Sequence, residues 1–569
     1  MGRRSVRADV ARAAALAALV GIAFSAATGR TSLRDWQTPI VYRGDAWAFL
    51  SGVKAARDGR VRPLRPIRIP ELNAPRGASW DDYPNRQPTL LWATGLLARV
   101  VGLFAAANLV LLLAHLLAAL AFYGAARTLR ARWEWAAAGG AAFALAPYLF
   151  YRSLDHLSLS LCWPIPLAIL VAASCARAPG VLPRSRRFAA ALAVTVVVGL
   201  GNVYYAGLLA QFLLLAAAGH ALRRRWRPAL APLLLAGVLV AAEAADNAHF
   251  LLQRLREGPN PDALLRPYGN LERFALKPVE LLLPAPGTSL APWQALSAPY
   301  WRGALFRGEM GSAYLGLAGV ASLLGLALLA CARRPSRRPQ PTLLAVGWIL
   351  LVSVVGGLNG LAGLLGFAWF RATNRYSIWV LALVLLAAVT RLSRLAWPPA
   401  ARSLAATAVV AAVLADQVPR APVQPAAEVR RTLASDETFV RSVESGLPAG
   451  SMVFLLPVVD YPEGRPPHRM ADYEQFRPYL VSARLRFSLG TDRGRPGADW
   501  PHEIEALPAG EAIRRLEAMG FAGLVLNRKG LADGGAEWLA GLAAAGREEA
   551  VASADGELVF VRLAPRGGT

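Results

Sequence analysis

The chain has 569 residues, 55% apolar and 17% charged, with 62 basic against 37 acidic side chains and a formal charge of +25. Ordinary globular chains sit near ~45–50% apolar and ~25% charged. Here the apolar surplus gathers in runs of about 17–25 residues, long enough to cross a ~30 Å hydrocarbon core. A soluble enzyme, a disordered chain and a disulfide scaffold are therefore excluded, and the chain reads as a mainly α, polytopic membrane protein.

Lys54, Lys277 and Lys529 are the only lysines. The basic excess is arginine in an Ala/Gly/Pro-rich chain, so it says little about partners, and no nucleic acid is expected. Cys162, Cys175 and Cys331 fall within or at the end of apolar runs and offer neither a disulfide framework nor a metal spacing.

In chain order the runs predict eleven spanning helices: 9–29, 104–126, 135–151, 157–177, 188–201, 203–222, 228–247, 310–331, 341–357, 376–392 and 401–418. The first follows Arg3, Arg4 and Arg7 and lacks a small-residue cleavage site, so it reads as a retained anchor. Alternate short loops carry arginine: Arg127, Arg130 and Arg132; Arg184, Arg186 and Arg187; Arg223, Arg224, Arg225 and Arg227; Arg333, Arg334, Arg337 and Arg338; Arg391 and Arg394. Short basic loops stay cytoplasmic, which puts the amino terminus inside and the carboxyl terminus outside. A tight outer turn at Gly201-Asn202 divides what would otherwise be one overlong span.

The remainder is expected outside. Residues 30–103 form a first loop, in which 88–102 reads as a helix lying in the interface. Residues 248–309 form a second loop. Residues 358–375 form a third, whose Leu358–Phe370 dips into the bilayer edge. Residues 1–419 thus make a transmembrane domain. Residues 420–569 make an extracytoplasmic α/β domain, with strands at 452–457, 523–527 and 557–563 and helices at 425–445, 509–519 and 534–546.

Polar groups gather at three outer helix ends: Tyr42-Arg43-Gly44-Asp45-Ala46-Trp47, Tyr151-Arg152-Ser153-Leu154-Asp155-His156, and Phe370-Arg371-Ala372-Thr373-Asn374-Arg375-Tyr376. A carboxylate can act as base, Asp and His can share a divalent ion, and arginines neutralise phosphate oxygens. Each residue also has a structural reading. Asp45 can cap the helix that starts at Ala46, Asp155 can cap helix four, and His156 can be an interfacial polar residue. Arg371 and Arg375 can bind lipid headgroups. Asp81 and Asp82 can bind a cation or merely form a turn. Lys277 can reach an interfacial phosphate or sit on a solvated face, and Glu309 is a third outer acid. There is no strand-embedded G-x-S-x-G, P-loop, H-E-x-x-H or dinucleotide fingerprint, so no nucleotide or redox cofactor is expected.

The amino-terminal helix, the long outer loop opening on Gly44-Asp45, a second outer acid after helix three and a carboxyl-terminal outer domain resemble the GT-C superfamily of polyprenyl-phosphate-dependent glycosyltransferases. A narrower likeness is to bacterial membrane proteins described as sugar transferases or translocases. It rests on Leu72-Asn73-Ala74-Pro75-x-Gly77, Arg152-x-x-x-His156, Leu276-Lys277-Pro278 with Leu281–Pro284, and Arg371-x-x-Asn374-Arg375. Leu456-Pro457…Pro462-Glu463 and Arg477-Pro478-Tyr479-Leu480 extend it into the tail.

The resemblance implies a multi-pass bacterial inner-membrane enzyme that moves a sugar from a polyprenyl-phosphate donor to a glycan, lipid or protein acceptor, with inversion. Asp45 matches the first-loop catalytic aspartate and Asp155 the second-loop acid. Asp45, Asp155 and His156 are then the catalytic set, and Arg152, Arg371, Asn374, Arg375, Lys277, Asp82 and Glu309 the substrate-binding set. Some members use such acids in a metal site, which leaves a divalent ion (Mg, Mn or Zn) on Asp45, Asp155 and His156 open. Here a single Asp follows Gly where the family has an acidic pair. Two readings remain beside the enzyme: a carrier for lipid-linked sugar, and an inert envelope scaffold.

Overall fold

A computed structural model describes residues 3–177, 185–263, 265–284, 290–332 and 340–565. The basic positions Arg184, Arg333, Arg334, Arg337 and Arg338 lie outside the described residues. The chain divides into two compact units. The first comprises Met1–Ser32, Leu109–Ala245 and Arg266–Val423; the second comprises Leu33–Asn108, Asp246–Leu265 and Gln424–Thr569.

The first unit is helical and built of apolar spans. Among the described residues, seven helices of the chain are long and apolar enough to cross a membrane: Arg7–Thr28, Leu103–Thr128, Val203–Leu222, Trp226–Asp246, Pro341–Leu364, Thr373–Leu392 and Pro399–Gln417. Ile165–Ala176 and Gly316–Cys331 are apolar but shorter. The chain is a multi-pass membrane protein. Small residues such as Ala119, Ala136, Ala138 and Ala141 are buried where these helices meet, as apolar solvent requires when packing must come from close backbone approach.

Two expected spans are broken. The third stops at Ala144 and resumes as Pro147–Arg152, because Pro147 holds Ala146 in an extended conformation. The His115 Nδ1 hydrogen bonds the Ala144 carbonyl at 2.7 Å and so satisfies the break. The fourth becomes Leu157–Ser160 and Ile165–Ala176, parted at Cys162–Pro164. The expected turn after Arg186–Gly199 is present. Asn202 accepts the Tyr204 amide at 3.1 Å as the cap of Val203–Leu222, and its amide donates to Ser158 at 3.1 Å. Leu361 and Leu364 on Leu358–Leu364 are exposed, as are Leu365, Phe367 and Trp369 just after it.

The second unit contains a hairpin of β1 (Arg68–Ile69) and β2 (Ala78–Ser79) and a five-stranded sheet ordered β4-β3-β5-β7-β6. The sheet strands are β3 (Met452–Leu456), β4 (Arg486–Phe487), β5 (Phe521–Asn527), β6 (Glu549–Ala552) and β7 (Leu558–Arg562). β3 runs parallel to β4 and β5, and β7 is antiparallel to β5 and β6. Phe454, Leu456, Ile513, Leu516, Leu524 and Val561 form its core with Trp500.

The first loop folds with this sheet. The Asn73 and Ala74 amides donate to Leu489 and Phe487 at 2.8 and 2.9 Å, and Phe487 donates back to Glu71 at 2.8 Å. By packing, residues 33–108 and 246–265 belong to the same compact unit as the tail. Pro88–Val101 packs on Asp45–Arg57, burying Leu91, Thr94 and Ala98 and leaving Trp92, Leu96 and Val100 exposed.

Candidate functional site

In the first unit, three of the expected site residues meet. Arg152 lies in the last turn of Pro147–Arg152 and is 0% exposed. Its Nη1 donates to Glu309 Oε2 at 2.7 Å. Arg375 donates Nε to the same oxygen at 3.0 Å and Nη2 to Oε1 at 2.8 Å. Burial alone would raise the Glu309 carboxyl, but Arg152 and Arg375 outweigh it and hold the group well below the usual carboxylate range. Two guanidiniums thus share one carboxylate, leaving one net positive charge out of bulk water.

Tyrosines wall this cluster. The Arg375 guanidinium lies 4.7 Å from the Tyr204 ring centroid and that of Arg152 lies 5.3 Å from Tyr148. The Tyr148 and Tyr205 hydroxyls are 3.0 Å apart, and the Tyr204 hydroxyl accepts the Ala372 amide at 3.2 Å. Sequence reasoning missed all three tyrosines, although Asn202-Val203-Tyr204-Tyr205 repeats the polar and aromatic signature of an outer helix end.

Donors remain idle beside the pair. Arg152 Nε and Nη2, and both Oδ1 and Nδ2 of the buried Asn374, have no hydrogen-bond partner among the described residues. Buried polar atoms are almost always satisfied, and each orphan costs about 1–3 kcal/mol. Asn374 is held by its backbone, which donates to Phe274 at 3.1 Å. Arg371 stacks on that same Phe274 ring, 5.4 Å from its centroid.

The link that carries Glu309 is also fixed. Glu280 is buried and accepts the Gly308 amide at 2.7 Å and the Tyr300 hydroxyl at 2.6 Å. A Cβ at Gly308 would stand 2.2 Å from Glu280 Oε2, so a larger residue there would displace the Glu280 carboxylate.

His156 follows Asp155 in the turn before Leu157–Ser160 and holds that helix's N-cap position. Burial, then the charges of Arg152 and Arg375, push the imidazole down to about 3. His156 is therefore neutral at physiological pH. Below about pH 6.5 the unfolded chain takes up a proton at His156 that the folded chain refuses, so folding loses free energy as pH falls from there towards 3. His156→Gln should consequently narrow the loss of thermal stability between pH 7 and pH 5, measured by melting the purified protein. It should leave any neutral-pH activity profile without a new inflection.

The Lys277 ammonium donates to the carbonyls of Glu272, at 3.3 Å, and Arg273, at the end of Gly269–Arg273.

In the second unit, Gly44 adopts φ 51°, which favours glycine, and Asp45 opens the Asp45–Arg57 helix as its first-turn acid. Burial raises the Tyr473 hydroxyl above its ordinary range and the charge of Asp45 raises it further. Asp82 is held by Arg495 through Nε at 3.0 Å and Nη2 at 2.5 Å, and Asp81 by Arg68 and the Ile67 amide. Both acids of that pair are thus committed to arginines. Arg86 bonds Asp492 and lies 4.8 Å from the Tyr461 ring centroid.

The residues do not fit a divalent ion. Among the described residues, no three His, Cys, Asp or Glu side chains gather where one could be held. His156 stands in the field of two guanidiniums, and Glu309, the acid that charge-couples to it, is spent on both.

No family model matches the chain, and no curated protein matches it. It is similar to several solved structures. One is the Archaeoglobus fulgidus oligosaccharyltransferase in complex with Zn and sulfate: 11% identity, TM-score 0.44, covering 90% of this chain and 68% of that one. Another is ArnT from Cupriavidus metallidurans bound to undecaprenyl phosphate: 13% identity, TM-score 0.42, covering 98% and 99%. The apo form of the same ArnT gives 15%, 0.43, 99% and 100%.

Proposed function

We propose that the chain is an integral membrane glycosyltransferase of the bacterial inner membrane, with its amino terminus inside and its tail domain outside. It would move a sugar from a polyprenyl-phosphate donor to a hydroxyl of a cell-envelope acceptor. One observation carries this reading: Arg152, fully buried and joined to Arg375 through Glu309, keeps two donors without a partner among the described residues. Such a cluster, carried by a unit of apolar spans, suits the phosphate of an amphiphile better than a free ion.

In the step proposed, Asp45 removes the acceptor's hydroxyl proton as that oxygen bonds the anomeric carbon. The anomeric carbon–oxygen bond to phosphate breaks, and its electron pair leaves on the lipid phosphate. Arg152 and Arg375 balance the charge that develops there. Single displacement inverts the anomeric centre, and a hexosyl or pentosyl group fits the same scheme. Asp155 and Arg371 are assigned to donor orientation, and Asn374 to a hydrogen bond with the sugar or phosphate.

The test is release of polyprenyl phosphate from a radiolabelled polyprenyl-phosphate hexose in liposomes containing the full chain. Arg152→Gln and Arg375→Gln should each reduce release by about 10²–10³, the usual loss for one charge-stabilising donor. Movement of intact donor between leaflets, with no release by the wild type, would make the protein a carrier instead.

A further inference from the structure

Two helix ends in the first unit carry arginine where comparable ends in this chain carry glycine. Leu103–Thr128 and Val203–Leu222 close on the same pair of backbone bonds. At the first, the Arg130 amide donates to Arg127 at 3.0 Å and the Ala131 amide to Ala126 at 2.9 Å. At the second, the Arg224 amide donates to Ala221 at 2.7 Å and the Arg225 amide to His220 at 2.9 Å. This closure puts its first donor residue in the left-handed region, where a Cβ crowds the backbone and glycine is the usual choice. Among the described residues, Gly29, Gly59, Gly366 and Gly546 hold that position at other helix ends with the same bonds. Arg130 stands there at φ 64° and Arg224 at φ 55°, in a chain with 50 glycines.

No acid in the fold accounts for the exception. Arg130 and Arg224 are exposed, and among the described residues no carboxylate bonds either of them, nor Arg132 or Arg394. The Arg132 amide and guanidinium reach Ser393 at 2.9 and 3.3 Å, which brings the Arg394 backbone beside the first cap. Asp9 and Glu134, which share this end, are taken by Arg127 and Arg402 at 2.9 Å each. A cation at a helix carboxyl end also gains from the helix dipole, but Arg127 and Arg223 supply that charge from ordinary backbone. Exposed apolar side chains flank both caps: Leu395 and Trp397 follow Arg394, and Leu222 and Trp226 bracket Arg224. Indole and guanidinium together at the end of an apolar span suit a headgroup layer, where the ring sits at the boundary and the cation meets phosphate.

We propose that the two arginine caps are headgroup sites for anionic phospholipid. Arg130, with Arg132 and Arg394, pairs with the phosphodiester of a lipid such as phosphatidylglycerol, and Arg224 does so with Arg225. The lipid's acyl chains lie along the exposed apolar residues. The pairing offsets the backbone cost of a cap that is not glycine, and without the lipid that cost stands. The assignment is independent of the transfer reaction and of Arg152 and Arg375.

The full chain is placed in nanodiscs of phosphatidylglycerol and phosphatidylcholine in equal amounts, and the lipids it retains are counted by native mass spectrometry. The wild type should retain phosphatidylglycerol preferentially. Arg130→Gly combined with Arg224→Gly should lower that preference by about tenfold or more, as loss of two cations at a headgroup layer predicts. In phosphatidylcholine alone the same variant should melt no lower than the wild type, because glycine suits the left-handed cap. Adding phosphatidylglycerol should then raise the melting temperature of the wild type more than that of the variant. Arg254→Gln combined with Arg256→Gln removes as much charge from exposed positions elsewhere and should leave retention unchanged. If that control lowers retention equally, the attraction is diffuse and the proposal fails. An equal rise in melting temperature for wild type and glycine variant, or a wild type without lipid preference, would also overturn it. Displacement of the lipid by soluble glycerol phosphate would make the caps a site for free phosphate esters instead.

Discussion

Asp45→Asn should lower sugar transfer by about 10²–10⁴, the contribution usual for a positioned general base, while leaving lipid-phosphate binding unchanged. The size of the effect separates two roles for one residue. Asp45 is a first-turn acid, and its interaction with the helix dipole is worth only about 0.3–1 kcal/mol. If that were its whole role, asparagine would shift the melting temperature slightly and leave turnover within a few-fold of wild type. Loss of turnover with a nearly unchanged melting curve identifies a proton acceptor. Initial rates and melting curves on the same preparation decide the matter.

Glu309→Gln carries a sign that no catalytic role for Glu309 would give. Its carboxylate is the shared counter-ion of Arg152 and Arg375, and none of the three is more than 14% exposed. Removing one partner of a buried ion pair typically costs about 3–5 kcal/mol, because uncompensated charge is left behind. The unliganded variant should therefore melt well below wild type. The vacancy in charge then favours an incoming anion, so undecaprenyl phosphate should bind about ten- to 100-fold more tightly, given ~1.5–3 kcal/mol per hydrogen bond to a charged group. It should also restore much of the lost stability. A Glu309 that contacts sugar would instead give weaker binding, and isothermal titration against a short-chain polyprenyl phosphate shows which holds.

The membrane plan was legible because a bilayer demands long apolar runs and arginine marks their ends. Gly201-Asn202 was legible for the same reason: an overlong run with basic residues at both ends needs a turn. The break at Ala146-Pro147 was equally visible in Pro147 but was passed over, since the run stays apolar across it. Arg152, Asn374 and Arg375 could be named from charge at helix ends. Their convergence could not, because Glu309 is 157 residues from Arg152 and 66 from Arg375. No local pattern registers such a pairing.

Asp82 shows the converse. Beside Asp81 it offered a cation site or a turn, and its side-chain partner is Arg495, 413 residues away. The tail strands β3, β5 and β7 alternate or run apolar long enough to be read. β4 pairs through only two residues, so the edge along which the first loop folds had no signature. Lys277 offered either a phosphate contact or a solvated face, and its ammonium bonds carbonyls of its own loop.

The central claim is that Arg152 and Arg375 hold a lipid-borne phosphate. It is tested most directly by the affinity of the full chain, in nanodiscs, for undecaprenyl phosphate relative to undecaprenol. The wild type should prefer the phosphorylated lipid by at least about 100-fold, equivalent to roughly 2.7 kcal/mol, and Arg152→Gln combined with Arg375→Gln should bring the two lipids near parity. Equal affinity of the wild type for both lipids, or a preference that survives the double substitution, would contradict it.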